Sequence, residues 1–150
     1  MHYFAYGSNI NPARLLDRKV EYISRKKGIL QNYILVFNKR AKRNPKEGYA
    51  NVIQSTNSIV EGALYEVAEK DILKLDKYEG YPKHYSKQTV SINVGGVNLD
   101  AIVYVATSDF LGEGLKPTQE YLNHILAGRD IFSIEYYQLL CKTRTLDDSL

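Results

Sequence analysis

Tyr6-Gly7-Ser8-Asn9, directly after an apolar N-terminal run, and Leu75-Asp76-Lys77-Tyr78-Glu79-Gly80, far downstream, carry the residue types that can do chemistry in this chain. A strand that ends in a Gly-containing turn leaves several N–H groups outside the sheet. Such a nest of donors suits a carboxylate or a developing oxyanion. Glu79, set among Tyr78, Tyr81 and Tyr85, offers a lone carboxylate for proton transfer. Each segment also has a plainer explanation, because Gly, Ser and Asn occur in any tight turn and a helix-end glutamate is commonly just solvated. Asp76, one turn before Glu79, suits a local cap or brace.

Other chemistries fit less well. The glycines lack the Gly-x-Gly-x-x-Gly spacing of a dinucleotide site and the Gly-Lys-Ser/Thr end of a phosphate loop. Ser8 is not in a Gly-x-Ser-x-Gly elbow, and His2, His84 and His124 follow neither triad nor metal-ligand spacing, so no metal is expected. Cys141 is the only cysteine, which excludes an intrachain disulfide and thiol clusters. Its neighbours Tyr137, Leu139 and Leu140 point to a buried thiol rather than a nucleophile. The basic run Lys39, Arg40, Lys42, Arg43 and Lys46 reads as a solvated turn or a phosphate-binding patch. It lacks the interleaved aromatics of a single-strand reader, and a net charge of +3 does not by itself imply nucleic acid.

The elements that must position these residues follow from periodicity. Tyr3 to Tyr6 fits a short buried strand. Asn11-Pro12 marks a helix start, with Asn as cap and Pro at the first position, and Ala13 to Asp17 completes about two turns. Val20 to Asn38 favours two strands, with Arg25-Lys26-Lys27-Gly28 and Gln31-Asn32 as breaks. The second of these, Tyr33 to Phe37, is expected to be buried on both faces. Lys39 to Gly48 reads as an exposed loop. Ala50 to Gln54 and Ile59 to Val67 read as strands joined by the turn Ser55-Thr56-Asn57-Ser58.

Glu69 opens a helix whose Ile72, Leu73, Leu75 and Asp76 lead to Glu79 near its carboxyl end, where Gly80 and Pro82 stop it. The unfavourable end of the helix dipole should raise the Glu79 pKa. Tyr85 to Val94 and Leu99 to Ala106 read as a hairpin across Gly95-Gly96. After a Gly-rich loop at Asp109 to Gly114, Pro117 precedes two helices. Tyr121, Leu122, Ile125 and Leu126 form the buried stripe of the first, and Ile134, Tyr137, Leu140 and Cys141 that of the second. Thr145 to Leu150 is expected to fray. Strands in one block with helices inserted late indicate an α+β fold built on a small mixed, twisted or barrel-like sheet with flanking helices.

At 150 residues, 44% hydrophobic and 25% charged, the chain is expected to form a single globular domain, 1–150. It lacks a bilayer-spanning apolar stretch and a signal-peptide pattern, so a cytoplasmic location is expected. Its thirteen tyrosines serve a pocket, a core or an interface equally well, and oligomeric state is left open.

Phe4-Ala5-Tyr6-Gly7-Ser8-Asn9-Ile10 together with Leu75 to Gly80 resembles the gamma-glutamylcyclotransferase family, including its AIG2-like relatives. The resemblance spans nearly the whole chain. Gly48-Tyr49-Ala50-Asn51 falls where the family has a Gly-x-Ala strand, Tyr85 follows the Glu segment, and Ile10 stands where Leu or Met is more usual. It implies release of 5-oxoproline from a small-molecule gamma-glutamyl amino acid, peptide or amine, without a cofactor. The substrate's own α-amine attacks its γ-carbonyl, with Glu79 as general acid/base. Gly7, Ser8, Asn9 and Ile10 would supply backbone donors, and Tyr6, Tyr85 and Tyr121 would shape the pocket.

Variants of this reading are a cyclotransferase for gamma-glutamylamines and an enzyme that removes a gamma-glutamyl protecting group in biosynthesis. The leaving-group pocket decides between them; loops such as Lys39 to Gly48 and Asp109 to Lys116 are expected to build it, and the basic residues of the first would favour a carboxylate-bearing leaving group. A noncatalytic module for small carboxylates or nucleic acid is the reading from another class. A nearby Glu79 would only repel an anion in such a module.

Overall fold

The computed structural model describes residues 1–149. Five strands close into a barrel: β1 (His2–Ala5), β2 (Ser24–Arg40), β3 (Gly48–Glu66), β4 (Tyr85–Val94) and β5 (Val97–Ala106), in the spatial order β1-β3-β2-β4-β5. β1 closes the ring by pairing antiparallel with β3 and parallel with β5 through Tyr3 and Ile102. This arrangement is the α+β, barrel-like architecture that the sequence pattern predicts. Four helices flank it: α1 (Pro12–Asp17), α2 (Glu69–Glu79), α3 (Gln119–Leu126) and α4 (Ile134–Cys141).

The barrel interior is tight. Gly28 and Gly62 face each other across β2 and β3, and the Phe4 ring fills the space that side chains there would need. A Cβ on Gly62 would lie 2.3 Å from the Ala5 carbonyl oxygen, so β1 can pack against β3 only because that position has none. Phe4, Val60, Ile92, Val103 and Tyr65 make the core, sealed on the helix side by Leu15, Ile72, Leu75, Leu122 and Ile125.

Several expectations are corrected by the structure. The stretch read as two strands in Val20 to Asn38 is one strand, because β2 pairs with β3 from Ser24 opposite Glu66 to Arg40 opposite Gly48. Ser55-Thr56-Asn57-Ser58 is accordingly a bulge within β3 and not a turn. The register jumps from Gln31↔Ile59 to Tyr33↔Gln54, with Asn32 (φ 65°) and Asn57 (φ 66°) both left-handed. The Asn57 N–H donates to Asn32 Oδ1 at 3.2 Å, and the Ser55 and Ser58 hydroxyls bond at 2.8 Å, which satisfies the bulge locally. Tyr33 to Phe37 is not buried on both faces, since Ile34 is 41% exposed.

Lys39 to Gly48 is not simply an exposed loop. Lys39 and Arg40 end β2, and Lys39, Ala41, Glu47 and Gly48 are buried. Glu47 is held by a two-pronged bond from Arg43, 2.8 Å at each oxygen, which explains a carboxylate in the interior. Cys141 is exposed and not buried, and Ile134 is 72% exposed, because α4 sends only Leu140 fully into the core.

The tail after α4 is tied down from Thr145 to Asp148, with Thr145 fully buried. The Leu146 N–H donates to the Pro117 carbonyl at 3.0 Å, and the Gln119 N–H to Asp147 at 3.0 Å. Leu150, the last residue of the expected frayed tail, lies outside the described residues. No helix among the described residues is long and apolar enough to cross a membrane.

Candidate active site

β1 runs out at Ala5, and the chain turns through Gly7 into a 3-10 turn, Ser8–Ile10, before Asn11 caps α1 by accepting from the Ala13 N–H at 3.1 Å. The turn uses one N–H internally, with Ile10 donating to the Gly7 carbonyl at 3.0 Å. Among the described residues, the N–H groups of Gly7, Ser8 and Asn9 have no acceptor. The Tyr65 hydroxyl fixes the turn by donating to the Asn9 carbonyl at 2.8 Å, and Arg25 Nη2 adds a bond to the Ile10 carbonyl at 3.0 Å.

Glu79 enters from the carboxyl end of α2. That helix is acidic in its first turn, buries Ile72 and Leu75 on one face, and ends at Gly80, whose φ of 68° suits a residue without a Cβ. The Glu79 side chain, 19% exposed, reaches the turn: Asn9 Nδ2 donates to Oε1 at 3.3 Å, and Arg18 Nη1 stands 4.0 Å from the same oxygen. Its pKa is raised above the ordinary value. Burial is the main cause, opposed by the positive charges of Arg18, Lys39 and Arg14. The direction is the expected one, and desolvation is its leading cause.

Tyr6, Gly7, Ser8, Asn9, Glu79, Tyr85 and Tyr121 line a single cleft of about 570 Å³. Two of the tyrosines bracket the backbone of Ala50: its N–H donates to the Tyr121 hydroxyl at 3.0 Å, and the Tyr85 hydroxyl donates to its carbonyl at 3.2 Å. Burial pushes Tyr121 up to about 12, so its phenol keeps a proton that can point into the cleft. The Tyr6 hydroxyl is spent on the Tyr104 carbonyl, which makes Tyr6 a wall. Ile10 is the exception among the expected site residues. Its N–H is taken by Gly7, and its fully buried side chain packs into the core beside Gly128. Asp76 is a brace, accepting from the Tyr104 hydroxyl at 2.6 Å and pairing with Lys87 at 2.9 Å.

The cleft also contains cations. Arg14, on α1, and Arg18, which caps the carboxyl end of that helix, lie four residues apart just beyond the turn, a spacing legible in the sequence. Lys39 belongs to the run whose basic residues are expected to favour a carboxylate-bearing leaving group; its burial, at 5% exposure, is what that reading lacks. Its Nζ lies 3.0 Å from His84 Nδ1 and 3.1 Å from the Arg40 carbonyl, with the rings of Phe110, Tyr49 and Tyr85 around it. A buried carboxyl, three unpartnered N–H groups and several cations around one cleft can bind an anionic compound and move a proton within it.

A family model described as "Gamma-glutamyl cyclotransferase, AIG2-like" matches residues 3–127. The chain belongs to that family and is an enzyme of the gamma-glutamyl cyclotransferase type. The match covers both the donor turn and Glu79. Among solved structures, one titled gamma-glutamyl cyclotransferase is 24% identical with a TM-score of 0.84, covering 98% of this chain and 89% of its own. An uncharacterized protein from Homo sapiens is also 24% identical, with a TM-score of 0.85, and covers 97% and 89%. A yeast gamma-glutamyl cyclotransferase specific to glutathione is 15% identical with a TM-score of 0.67, covering 99% and 98%. At these identities the likeness is one of fold. No curated protein matches the chain in sequence.

Proposed function

We propose that this enzyme releases 5-oxoproline from a small gamma-glutamyl amino acid, peptide or amine, with Glu79 as the proton-transfer group. The observation that carries the reading is the Glu79 carboxyl, partly buried in the same cleft as the unpartnered N–H groups of Gly7, Ser8 and Asn9. The substrate's α-ammonium cannot attack until it loses a proton, and the Glu79 carboxylate takes it. The freed amine adds to the γ-carbonyl carbon, closing a five-membered ring and placing negative charge on the carbonyl oxygen. The ring nitrogen of this adduct still carries two protons. As the oxyanion collapses and the bond from the carbonyl carbon to the departing nitrogen breaks, Glu79 hands its proton to that nitrogen, then takes the second proton from the ring nitrogen and passes it to the released amine, so that the products are a neutral lactam and an ammonium.

Nucleophile and electrophile belong to one molecule, so most of the rate comes from holding the folded conformer, for which effective molarities reach roughly 10⁵ M or more. Proton transfer by a positioned carboxyl adds roughly 10²- to 10⁴-fold. The three N–H groups serve the oxyanion or the glutamyl α-carboxylate. Tyr121 and Tyr85 shape the wall, and no step needs a cofactor. The substrate is a small molecule, and a cytoplasmic location fits this chemistry.

The test is 5-oxoproline release from a panel of gamma-glutamyl amino acids, gamma-glutamyl-lysine and glutathione, the last included because the yeast neighbour is specific to it. Wild type should turn over at least one member, and Glu79→Gln should lose that turnover by at least about a hundredfold while keeping its fold. Near-normal turnover in Glu79→Gln would remove Glu79 from the chemistry.

A further inference from the structure

The cleft holds more anion-seeking groups than the glutamyl half of a substrate can use. Deepening the cyclisation reading and resting on it, we infer that Lys39 selects substrates whose leaving amine carries a carboxylate, by binding that carboxylate through its ammonium group. The glutamyl end has donors of its own. Its α-amine must reach Glu79, and the unpartnered N–H groups of Gly7, Ser8 and Asn9 sit on the turn that Asn9 ties to Glu79. Arg14 lies on the helix that follows this turn and has no ion-pair partner among the described residues. Its buried Nε has no hydrogen-bond partner either.

Lys39 comes from a different element, the end of β2, where the β2–β3 pair meets Phe110. It is more than nine-tenths buried, and no carboxylate among the described residues forms an ion pair with it. Of its three ammonium protons, one goes to the Arg40 carbonyl and one to His84 Nδ1, which leaves one donor for a ligand. Tyr49, Tyr85 and Phe110 around it make water a poor substitute for that ligand.

An ammonium in such a place is costly without a counter-charge. Burial pushes the Lys39 ammonium down, and the negative charge of Glu79, in the same cleft, opposes that push. In the proposed reaction Glu79 is neutralised when it takes the α-ammonium proton, and Lys39 loses that support as the ring closes. A carboxylate on the leaving amine keeps the Lys39 charge compensated through this step. A neutral amine or carboxamide does not.

The experiment compares kcat/KM for gamma-glutamyl-glycine and gamma-glutamyl-glycinamide, which share the glutamyl half and differ in one charge. Recognition of the α-carboxylate cancels in the ratio. Wild type should prefer the glycine compound by about 10- to 100-fold, the worth of one charge-assisted hydrogen bond. Lys39→Met, which matches the side chain in length and suits a ring-lined recess, should bring the ratio to near one. Lys39→Gln should do the same if the methionine variant folds poorly, and Lys39→Arg should keep the preference in sign. A ratio unchanged in Lys39→Met or Lys39→Gln overturns the inference, as does a wild type indifferent to the two substrates.

If wild type releases 5-oxoproline from neither compound or any other member of the panel, the cyclisation reading has failed and calorimetric binding of the same pair decides Lys39. Tighter binding of the glycine compound, abolished by Lys39→Met, supports it, and equal binding overturns it.

Discussion

Asn9 joins the donor turn to the proposed proton-transfer group: its Nδ2 donates to Glu79 Oε1 at 3.3 Å, while its Oδ1 accepts from Arg18 Nη1 at 3.0 Å. The same Nδ2 lies 2.9 Å from the Tyr3 hydroxyl, so one buried amide sets the spacing of three groups. Asn9→Ala should lower kcat by about 10- to 100-fold through loss of a hydrogen bond to a charged group. Stripping the Tyr3 hydroxyl of its partner should also cost about 1–3 kcal/mol of stability. Turnover and urea unfolding measured side by side check both effects. Wild-type turnover in the variant would mean that Glu79 is positioned by α2 alone.

Glu79 titrates above the ordinary value of 4.5 because it is buried, with Arg18 the largest of the opposing influences. Attack needs the carboxylate form, so kcat/KM should fall as pH drops through this raised value, with its acid limb above 4.5. Arg18→Met should move the limb upward. Stability carries a linked sign. The native state holds this proton more tightly than the unfolded chain, so Glu79 stabilises the fold most below the ordinary value, and that contribution is lost as pH rises through the raised one. Glu79→Gln should therefore melt at a higher temperature than wild type near neutral pH, with the difference shrinking in acid. Calorimetric melts across pH check this, and an equal Tm at all pH values would contradict it.

Much of this site was legible as residue types and local geometry. Asn11-Pro12, Gly80 and Gly95-Gly96 act over one turn of chain, and each ends or begins the element predicted for it. The Tyr6 to Asn9 turn and Glu79 could be paired through the family resemblance. What was hidden depended on long-range pairing. Ser55 to Ser58 has turn composition, but a partner strand running past it to Gly48 makes it a bulge. Lys39 sits in a charged run that reads as solvent-exposed, and only closure of the barrel shows that its ammonium is buried beside His84. Ile10 was assigned a free N–H because a 3-10 turn, which consumes that donor, has no distinct signature in three residues. Cys141 fell in an apolar pattern, but α4 packs against the barrel with too narrow a face to bury it.

Gly7 tests how finely the donor turn is placed. A Cβ there would meet the Ala50 Cβ at 3.1 Å and the Tyr121 hydroxyl at 3.3 Å, close enough to require a shift of a few tenths of an ångström. Gly7→Ala should fold, because the shift required is only a few tenths of an ångström, yet the turn should move against Tyr121 and Ala50. Misplacement of this kind costs up to about a hundredfold in rate when it displaces the reacting geometry. The expected outcome is a loss of kcat/KM well beyond the loss of stability, read from turnover and thermal melts of the same preparation. Unchanged kinetics would show that the N–H groups of the turn are not used.

Asp76 lies one helical turn before Glu79 and holds α2 to the barrel rather than taking part in the chemistry. Its two oxygens take separate partners, the Tyr104 hydroxyl on β5 at 2.6 Å and Lys87 on β4 at 2.9 Å. The buried hydroxyl keeps only a 3.5 Å approach to the Ile72 carbonyl if Asp76 is removed, so Asp76→Ala should cost about 1–3 kcal/mol. Tyr104→Phe removes the orphaned hydroxyl. The double variant should therefore be more stable than the sum of the single losses predicts, with an interaction energy of about 0.5–3 kcal/mol in a double-mutant cycle. The acid limb of kcat/KM should stay in place in Asp76→Ala, because the groups that tune Glu79 are Arg18, Lys39 and Arg14. A limb that moves with Asp76 would mean that the brace also sets the depth at which Glu79 is buried. Additive stability losses would mean that the short bond to Tyr104 contributes nothing of its own.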